Sequence, residues 1–148
     1  MLTDKEFKNI MAMKKNFIDS DIKICKIGEN ISYDLISNDN TRKFKLDIDR
    51  RNGRISLNKL KIQNRTDNIC LIRIDIDSPP HINPDGFITS RNHIHLYKEG
   101  YGLKWAVDLK NFHSIYFKNI SIFNSLFIDF CSYCNIDINN LNNFQGVI

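Results

Sequence analysis

Long hydrophobic runs are absent from this sequence of 148 residues. No apolar stretch approaches the roughly 20 residues that a membrane-spanning helix needs, so we expect no membrane association. Asp4 and Glu6 stand near the start, where a secretory signal peptide would be basic and then apolar. The sequence therefore predicts a soluble protein located in the cytoplasm.

Two common catalytic signatures are also missing. The segment Gly100-Tyr101-Gly102 lacks the remainder of either Gly-rich nucleotide-binding motif. No serine stands in a nucleophile elbow. The sequence therefore gives no support to a nucleotide-binding loop or to a serine hydrolase of that class.

Cysteine is scarce, with four residues in the chain. Cys131 and Cys134 have the C-x-x-C spacing, but a structural zinc site would need a second ligand pair at similar spacing. The pair falls late in an amphipathic pattern, where positions three apart share a helix face, so we expect both thiols to face the core. Cys25 and Cys70 lie in strand-like runs and are typical of small buried apolar residues.

Charge is only mildly unbalanced, at +4 with 21 basic and 17 acidic residues. The basic residues are interleaved with aspartates, so contact with nucleic acid is allowed but not required. The clearest basic cluster surrounds a predicted turn and is typical of a solvated hairpin tip; it contains Arg42, Lys43, Arg50, Arg51 and Arg54.

The length fits a single domain spanning residues 1–148. Thr3 and Glu6 form a capping box ahead of a helical pattern, which predicts a helix over residues 4–19. A second helical pattern begins near Asn119, with an apolar stripe that reaches Cys134. Between them, alternating patterns predict strands at 22–24, 44–48, 55–62, 69–77, 92–98 and 104–109, with an Asn-Gly hairpin turn at 52–53. The fold class predicted is α+β: an antiparallel meander flanked by an N-terminal and a C-terminal helix.

Rare residues gather in one stretch of this meander. All three prolines lie in the loop of residues 78–91, and three of the four histidines, His81, His93 and His95, lie in it or just beyond it. The only tryptophan, Trp105, follows shortly after. A long, stiff loop inside a domain is usually functional, which directs attention to residues 73–105.

The two strands that flank this loop have polar outward positions. If they pair antiparallel, Arg73, Asp75 and Asp77 stand beside His93, His95 and Tyr97, with His81 and Asp85 above them. Such a face is also compatible with a plain solvated sheet surface that has no function. His113 stands alone and is more typical of a surface position than of a ligand.

Two chemistries suit this set of residues. A single zinc or manganese ion could be held by His81, His93 and His95 with a carboxylate from Asp75, Asp77 or Asp85. Alternatively, metal-free cleavage of a phosphodiester would use His93 and His95 as acid and base. Supporting roles would then fall to further residues of the same face: Arg73 or Lys104 for the developing charge, with Asp75, His81 and Tyr97.

The segments RIDIDSPPHINPDG (residues 73–86) and HIHLYKEGYGLKWA (residues 93–106) resemble a family of small bacterial and phage proteins of unknown function. The resemblance extends from Leu46 to Asn135, and it implies membership without an established activity. The order Arg73, Asp75, His81, His93 and His95 is also similar to TumE-type toxins of toxin–antitoxin modules, although the loop and the turn at 99–102 differ.

These resemblances imply two functions from different classes. The first is a toxin-like protein of a phage or mobile element that acts on RNA, with an antitoxin as a possible partner. The second is a non-enzymatic inhibitor that binds a host defence protein, as anti-CRISPR proteins do, with the histidines structural or zinc-binding. The oligomeric state is left open.

Overall fold

An eight-stranded sheet carries most of the chain in the computed structural model, which describes residues 1–51, 59–112 and 116–142. The strand order across the sheet is β7-β6-β5-β4-β3-β2-β1-β8. Every neighbouring pair is antiparallel except β1 and β8, which are parallel. The strands are β1 (Lys15–Phe17), β2 (Asn30–Ser37), β3 (Lys43–Asp49), β4 (Leu60–Thr66), β5 (Ile69–Ile76), β6 (His93–Leu96), β7 (Ala106–Asp108) and β8 (Ile136–Asp137).

One α-helix precedes β1 and a second lies between β7 and β8, and the α+β prediction is therefore confirmed. They are α1 (Asp4–Ala12) and α2 (Phe123–Tyr133), and a short 3-10 helix covers Leu109–Asn111. The capping box is confirmed, because Glu6 N donates to Thr3 Oγ1 at 3.1 Å and Thr3 N donates to Glu6 Oε1 at 3.2 Å. Among the described residues, neither helix has the length and apolar character needed to cross a bilayer.

The sheet has one apolar and one polar face, since directly opposed residues point the same way. Ile48, Ile62, Ile74 and Ile94 oppose one another across four strands and are all buried. They join a single core with the apolar side of α2, which contributes Leu126, Phe127 and Phe130. The other side, here called the polar face, carries Asp47, Gln63, Arg73 and His95 in one row, and Asp49, Lys61, Asp75 and His93 in the next.

The predicted N-terminal helix of residues 4–19 is wrong beyond Ala12. Met13 is extended, and Lys15 N donates to Asn135 O instead of continuing the helix. The residues that follow form β1, which pairs with β2 on one side and β8 on the other. Sheet pairing on both edges therefore outweighs the helical spacing of Phe17 and Ile18.

Other strand predictions need correction at particular points. Residues 22–24 form no strand, whereas the unpredicted β2 pairs with β3 over seven residues. A register shift between Asn64 and Arg65 places Cys70 opposite Arg65, so Cys70 lies on the polar face rather than among the apolar residues. The strand predicted at 104–109 is shorter, and its Val107 is 45% exposed although it lies opposite the buried Ile94, because β7 is an edge strand. The predicted hairpin turn at 52–53 lies outside the described residues.

Candidate metal centre

The strands β5 and β6 pair antiparallel, which is the condition for their predicted polar residues to stand side by side. Arg73 lies opposite His95, and Asp75 lies opposite His93. Opposed residues of an antiparallel pair stand about 4.5–5.5 Å apart at Cβ, close enough for direct side-chain contact. The carboxylate, the guanidinium and two imidazoles therefore share one patch of the polar face.

This end of the polar face is covered, not open to solvent. Residues 78–91, here called the proline loop, fold into a small hairpin in which Ile82 pairs with Ile88. The side chain of Asn83 fastens the loop to β7: it donates to Ala106 O at 2.8 Å and accepts from Ala106 N at 2.9 Å. His93 and His95 are each only 1% exposed as a result.

One nitrogen of each buried imidazole is committed to the backbone. His93 Nδ1 lies 2.9 Å from Ser90 O, and His95 Nδ1 lies 2.7 Å from Leu103 O. A carbonyl oxygen only accepts, so both Nδ1 atoms carry hydrogen. In a neutral ring the lone pair is then at Nε2, and the two Nε2 atoms are the only ring nitrogens left to bind a cation.

Both Nε2 atoms point at the same carboxylate oxygen. His93 Nε2 is 3.2 Å and His95 Nε2 is 3.3 Å from Asp75 Oδ2. The ligand atoms of these three buried residues all lie within 4.8 Å of one another. Nitrogen and carboxylate donors in this number suit zinc, and a histidine ligand fixed by a bond from its other nitrogen is the usual arrangement around such ions.

Arg73 forms the fourth member of the network. Its Nε and Nη2 atoms donate to Oδ1 and Oδ2 of Asp75, both at 2.9 Å. The same Nη2 is 3.2 Å from His95 Nε2 and donates to it when that ring is neutral. Arg73 is therefore a cation already bound to two of the three candidate ligands.

The charges of this network shift the pKa values of its members. Burial alone would raise the pKa of Asp75, but hydrogen bonds with His93 and His95 and the Arg73 charge hold it well below its ordinary value. Burial would lower the pKa of His93, but its hydrogen bonds with Asp75 and Ser90 outweigh that and raise it. Asp75 is therefore an anion throughout the neutral range and a ready partner for a cation.

His81 lies beside the centre without joining its ligand atoms. Its ring centroid is 4.6 Å from that of His95 and 6.1 Å from that of His93. Its Nε2 lies 2.7 Å from Lys104 O, so this nitrogen donates and Nδ1 is the free one. His81 is partly exposed and is the imidazole nearest to solvent at this site.

Several predicted site residues lie elsewhere. Tyr97 is directed to the N-terminus, where its hydroxyl donates to Leu2 O at 2.7 Å and accepts from Leu2 N at 2.9 Å. Asp85 is exposed and accepts from Phe87 N within its own turn. Asp77 pairs with Arg91 at 3.1 Å. His113 lies outside the described residues.

The prediction also missed the residues that hold the histidines in place. The carbonyls of Ser90 and Leu103 have no sequence signal, because any residue can supply a backbone oxygen. Asn83 lies in the predicted loop of residues 78–91, and its amide has the donor and acceptor needed to pair with a strand edge.

The chain belongs to DUF6978, a family of unknown function, whose model matches residues 2–136. The match includes both helices, strands β1–β7 and every residue of the candidate centre. No curated protein and no solved structure shows significant similarity to the chain.

Proposed function

We propose that this member of DUF6978 is a toxin-like, metal-assisted protein that acts on RNA in the cytoplasm, with Asp75, His93 and His95 holding one divalent ion. The observation that carries the proposal is the convergence of His93 Nε2 and His95 Nε2 on Asp75 Oδ2, with both Nδ1 atoms fixed by carbonyls. Zinc is favoured over manganese because two of the three donors are imidazole nitrogens.

The electrostatics of the three ligand atoms favour positive charge beside them, and Arg73 supplies part of it. In neutral rings the two Nε2 lone pairs face a carboxylate oxygen, and three electron-rich atoms within 4.8 Å repel one another. Protons on the rings or a bound metal ion relieve this repulsion. A divalent ion bound here would supply a Lewis acid for a phosphoryl oxygen and lower the pKa of a bound water.

The hydrogen bonds of the histidines decide which role we assign to them. Each Nδ1 is committed to a carbonyl and each Nε2 faces Asp75 Oδ2, so we assign His93 and His95 to ligation rather than to direct acid–base chemistry. The side chain of Arg73 is 30% exposed, and His81 is partly exposed. We therefore assign phosphate binding to Arg73 and proton transfer to His81 Nδ1.

RNA as the substrate class is supported by charge and by resemblance. The chain carries a net charge of +4, and an arginine stands at the centre. The order of Arg73, Asp75, His81 and the His-x-His strand is similar to TumE-type toxins.

Metal content and RNA cleavage test the proposal together. We expect the purified chain to contain about one zinc or manganese ion and the Asp75→Asn/His93→Gln double variant to contain none. Asp85→Asn is the matched control, since it changes a nearby exposed carboxylate, and it should retain the ion. Cleavage of single-stranded RNA should be lost with a chelator and restored by the ion. A metal-free wild type, or cleavage unaffected by the chelator, would contradict the proposal.

A second function, a non-enzymatic inhibitor of a host defence protein, is favoured by one observation. The tip of the proline loop exposes three large apolar side chains, Ile82, Phe87 and Ile88. Exposed apolar clusters often mark protein interfaces. Capture of a defence nuclease by the wild type but not by Phe87→Asp, with no RNA cleavage by either, would favour this function over the first.

A further inference from the structure

A groove of about 600 Å³ opens at the end of the sheet where β5 finishes and β6 begins. Leu60, Ile76 and Phe123, the first residue of α2, line this groove. Arg91 and Asn92, which directly precede His93, also line it. This basic groove, as it is called below, is separate from the candidate metal centre but adjoins it along the chain.

The charges of the basic groove are unbalanced. Arg50, Lys59 and Arg91 line it together with one carboxylate, Asp77. Arg91 Nε pairs with Asp77 at 3.1 Å, whereas Arg50 and Lys59 have no carboxylate within 4.0 Å among residues 1–51, 59–112 and 116–142. The groove on the polar face differs, because its Arg51 and Arg65 are paired with Asp49 and Asp47.

The basic groove also offers flat and apolar surface between its cations. The guanidinium of Arg50 stacks 4.0 Å from the centroid of Phe123, and Arg50 Nη1 donates to Cys25 O at 2.9 Å. Ile27 and Ile120 complete the apolar part of the lining. Proteins bind single-stranded nucleic acid in grooves that combine cationic side chains with aromatic and guanidinium planes.

We infer that the basic groove binds the backbone of single-stranded RNA, with Arg50, Lys59 and Arg91 contacting phosphates. This inference rests on the proposed function and deepens it by assigning the path of the substrate. The segment that carries Arg91 is joined to β5, because Asp77 N donates to Asn92 Oδ1 at 2.8 Å. Leu60 and Ile76 point to the apolar face of the sheet, whereas Asp75 and His93 lie on the polar face. RNA bound along Arg91 therefore has to pass around the end of the β5–β6 pair to approach the candidate metal centre.

Binding is tested without cleavage, by fluorescence anisotropy of a labelled 2′-O-methyl RNA with the full chain in the absence of divalent ions. Lys59→Gln and Arg91→Gln should each weaken binding by about fivefold and reduce the slope of log affinity against log salt by roughly one. The double variant should lose more. Lys5→Gln is the matched control, since Lys5 is an exposed lysine on α1, and it should change neither quantity.

Each outcome is decisive for one of the two proposals. Wild-type affinity in the double variant, an equal loss in Lys5→Gln, no RNA binding at all, or tighter binding to double-stranded DNA would overturn the inference. RNA binding that depends on Lys59 and Arg91 in a chain that holds no metal and cleaves nothing would uphold the groove and refute the proposed function. Metal-dependent cleavage that is unchanged by substitution of Lys59 and Arg91 would uphold the proposed function and refute RNA binding in the groove.

Discussion

Arg73 occupies a position at which a guanidinium and a metal ion compete. It donates to both carboxylate oxygens of Asp75 and to His95 Nε2, which are two of the three proposed ligands. Metal binding must therefore weaken these bonds, and the arginine charge repels a divalent ion. Replacing Arg73 therefore tests whether it competes with the metal ion or orients the metal ligands.

We predict that Arg73→Met raises the affinity for zinc by about tenfold, since a unit charge close to the ion is removed. Competition with a chromophoric chelator measures the change. Arg65→Met is the matched control, because Arg65 bonds Asp47 at 2.6 Å on the same face but away from the candidate ligands. A lower affinity in Arg73→Met would instead show that the arginine orients Asp75 for the metal.

For single residues, the sequence predicted which side chains share a face of the sheet better than it predicted how deeply each one is buried. Alternation placed Arg73, Asp75, His93 and His95 on one face, and the register confirms it. The burial of both imidazoles was not foreseen, because it depends on where a loop folds back. Tyr97 follows the same alternation, but its hydroxyl bonds the backbone of Leu2, 95 residues away in sequence.

Hydrogen bonds from several residues hold the proline loop in place, and Asn83 makes two of them. Its amide satisfies both the donor and the acceptor of Ala106 on the outer edge of β7. His81 contributes a second attachment through Lys104 O. The loop therefore covers the histidines and also closes a strand edge that would otherwise be open to pairing with another chain.

We predict that Asn83→Ala lowers the free energy of unfolding by about 2 kcal/mol, since two buried hydrogen bonds are lost. It should also speed the release of a bound metal ion, because the cover over His93 and His95 is loosened. Denaturant unfolding and chelator-induced release measure the two effects. Asp85→Ala, in the same loop but exposed, should change neither; unchanged metal release in Asn83→Ala would show that the loop does not limit access.

Strong local signals located some elements, whereas β1, which is fixed by distant partners, was not predicted. The capping box located the start of α1, and strict alternation located β3. The end of α1 was misjudged by seven residues, because Lys15–Phe17 forms β1 by pairing with β2 and β8. No local pattern identifies β1 as a strand, because its paired strands lie about 20 and 120 residues further along the chain.

In the molecule as a whole, a buried lysine links the ends of the two α-helices. Lys15 is fully buried, and its Nζ donates to the carbonyls of Met11, Met13 and Cys134 at 3.1, 2.9 and 2.7 Å. These carbonyls belong to the end of α1 and the end of α2, so one side chain joins both helices at the β1–β8 end of the sheet. The three oxygens have a favourable interaction with the positive charge.

We predict that Lys15→Met lowers the free energy of unfolding by about 2–4 kcal/mol near pH 7, since three buried carbonyls lose their donor. Lys14→Met, which changes the exposed neighbour, is the control and should have little effect. Denaturant unfolding of both variants measures the difference. A loss no larger than that of the control would show that the three bonds do not stabilise the fold.

The pH dependence of that difference tests the charge state of Lys15. Burial lowers the pKa of Lys15 from 10.5 to about 8, against a smaller opposing effect of Cys134. Between these values the unfolded chain binds a proton that the folded chain has released, so the stability of the wild type rises with pH relative to Lys15→Met. The difference in free energy of unfolding between the wild type and Lys15→Met should widen by at most about 1.4 kcal/mol per pH unit over this window and stay constant below it. A gap that is constant from pH 7 to 10.5 would show that the three carbonyls keep the ammonium protonated despite its burial.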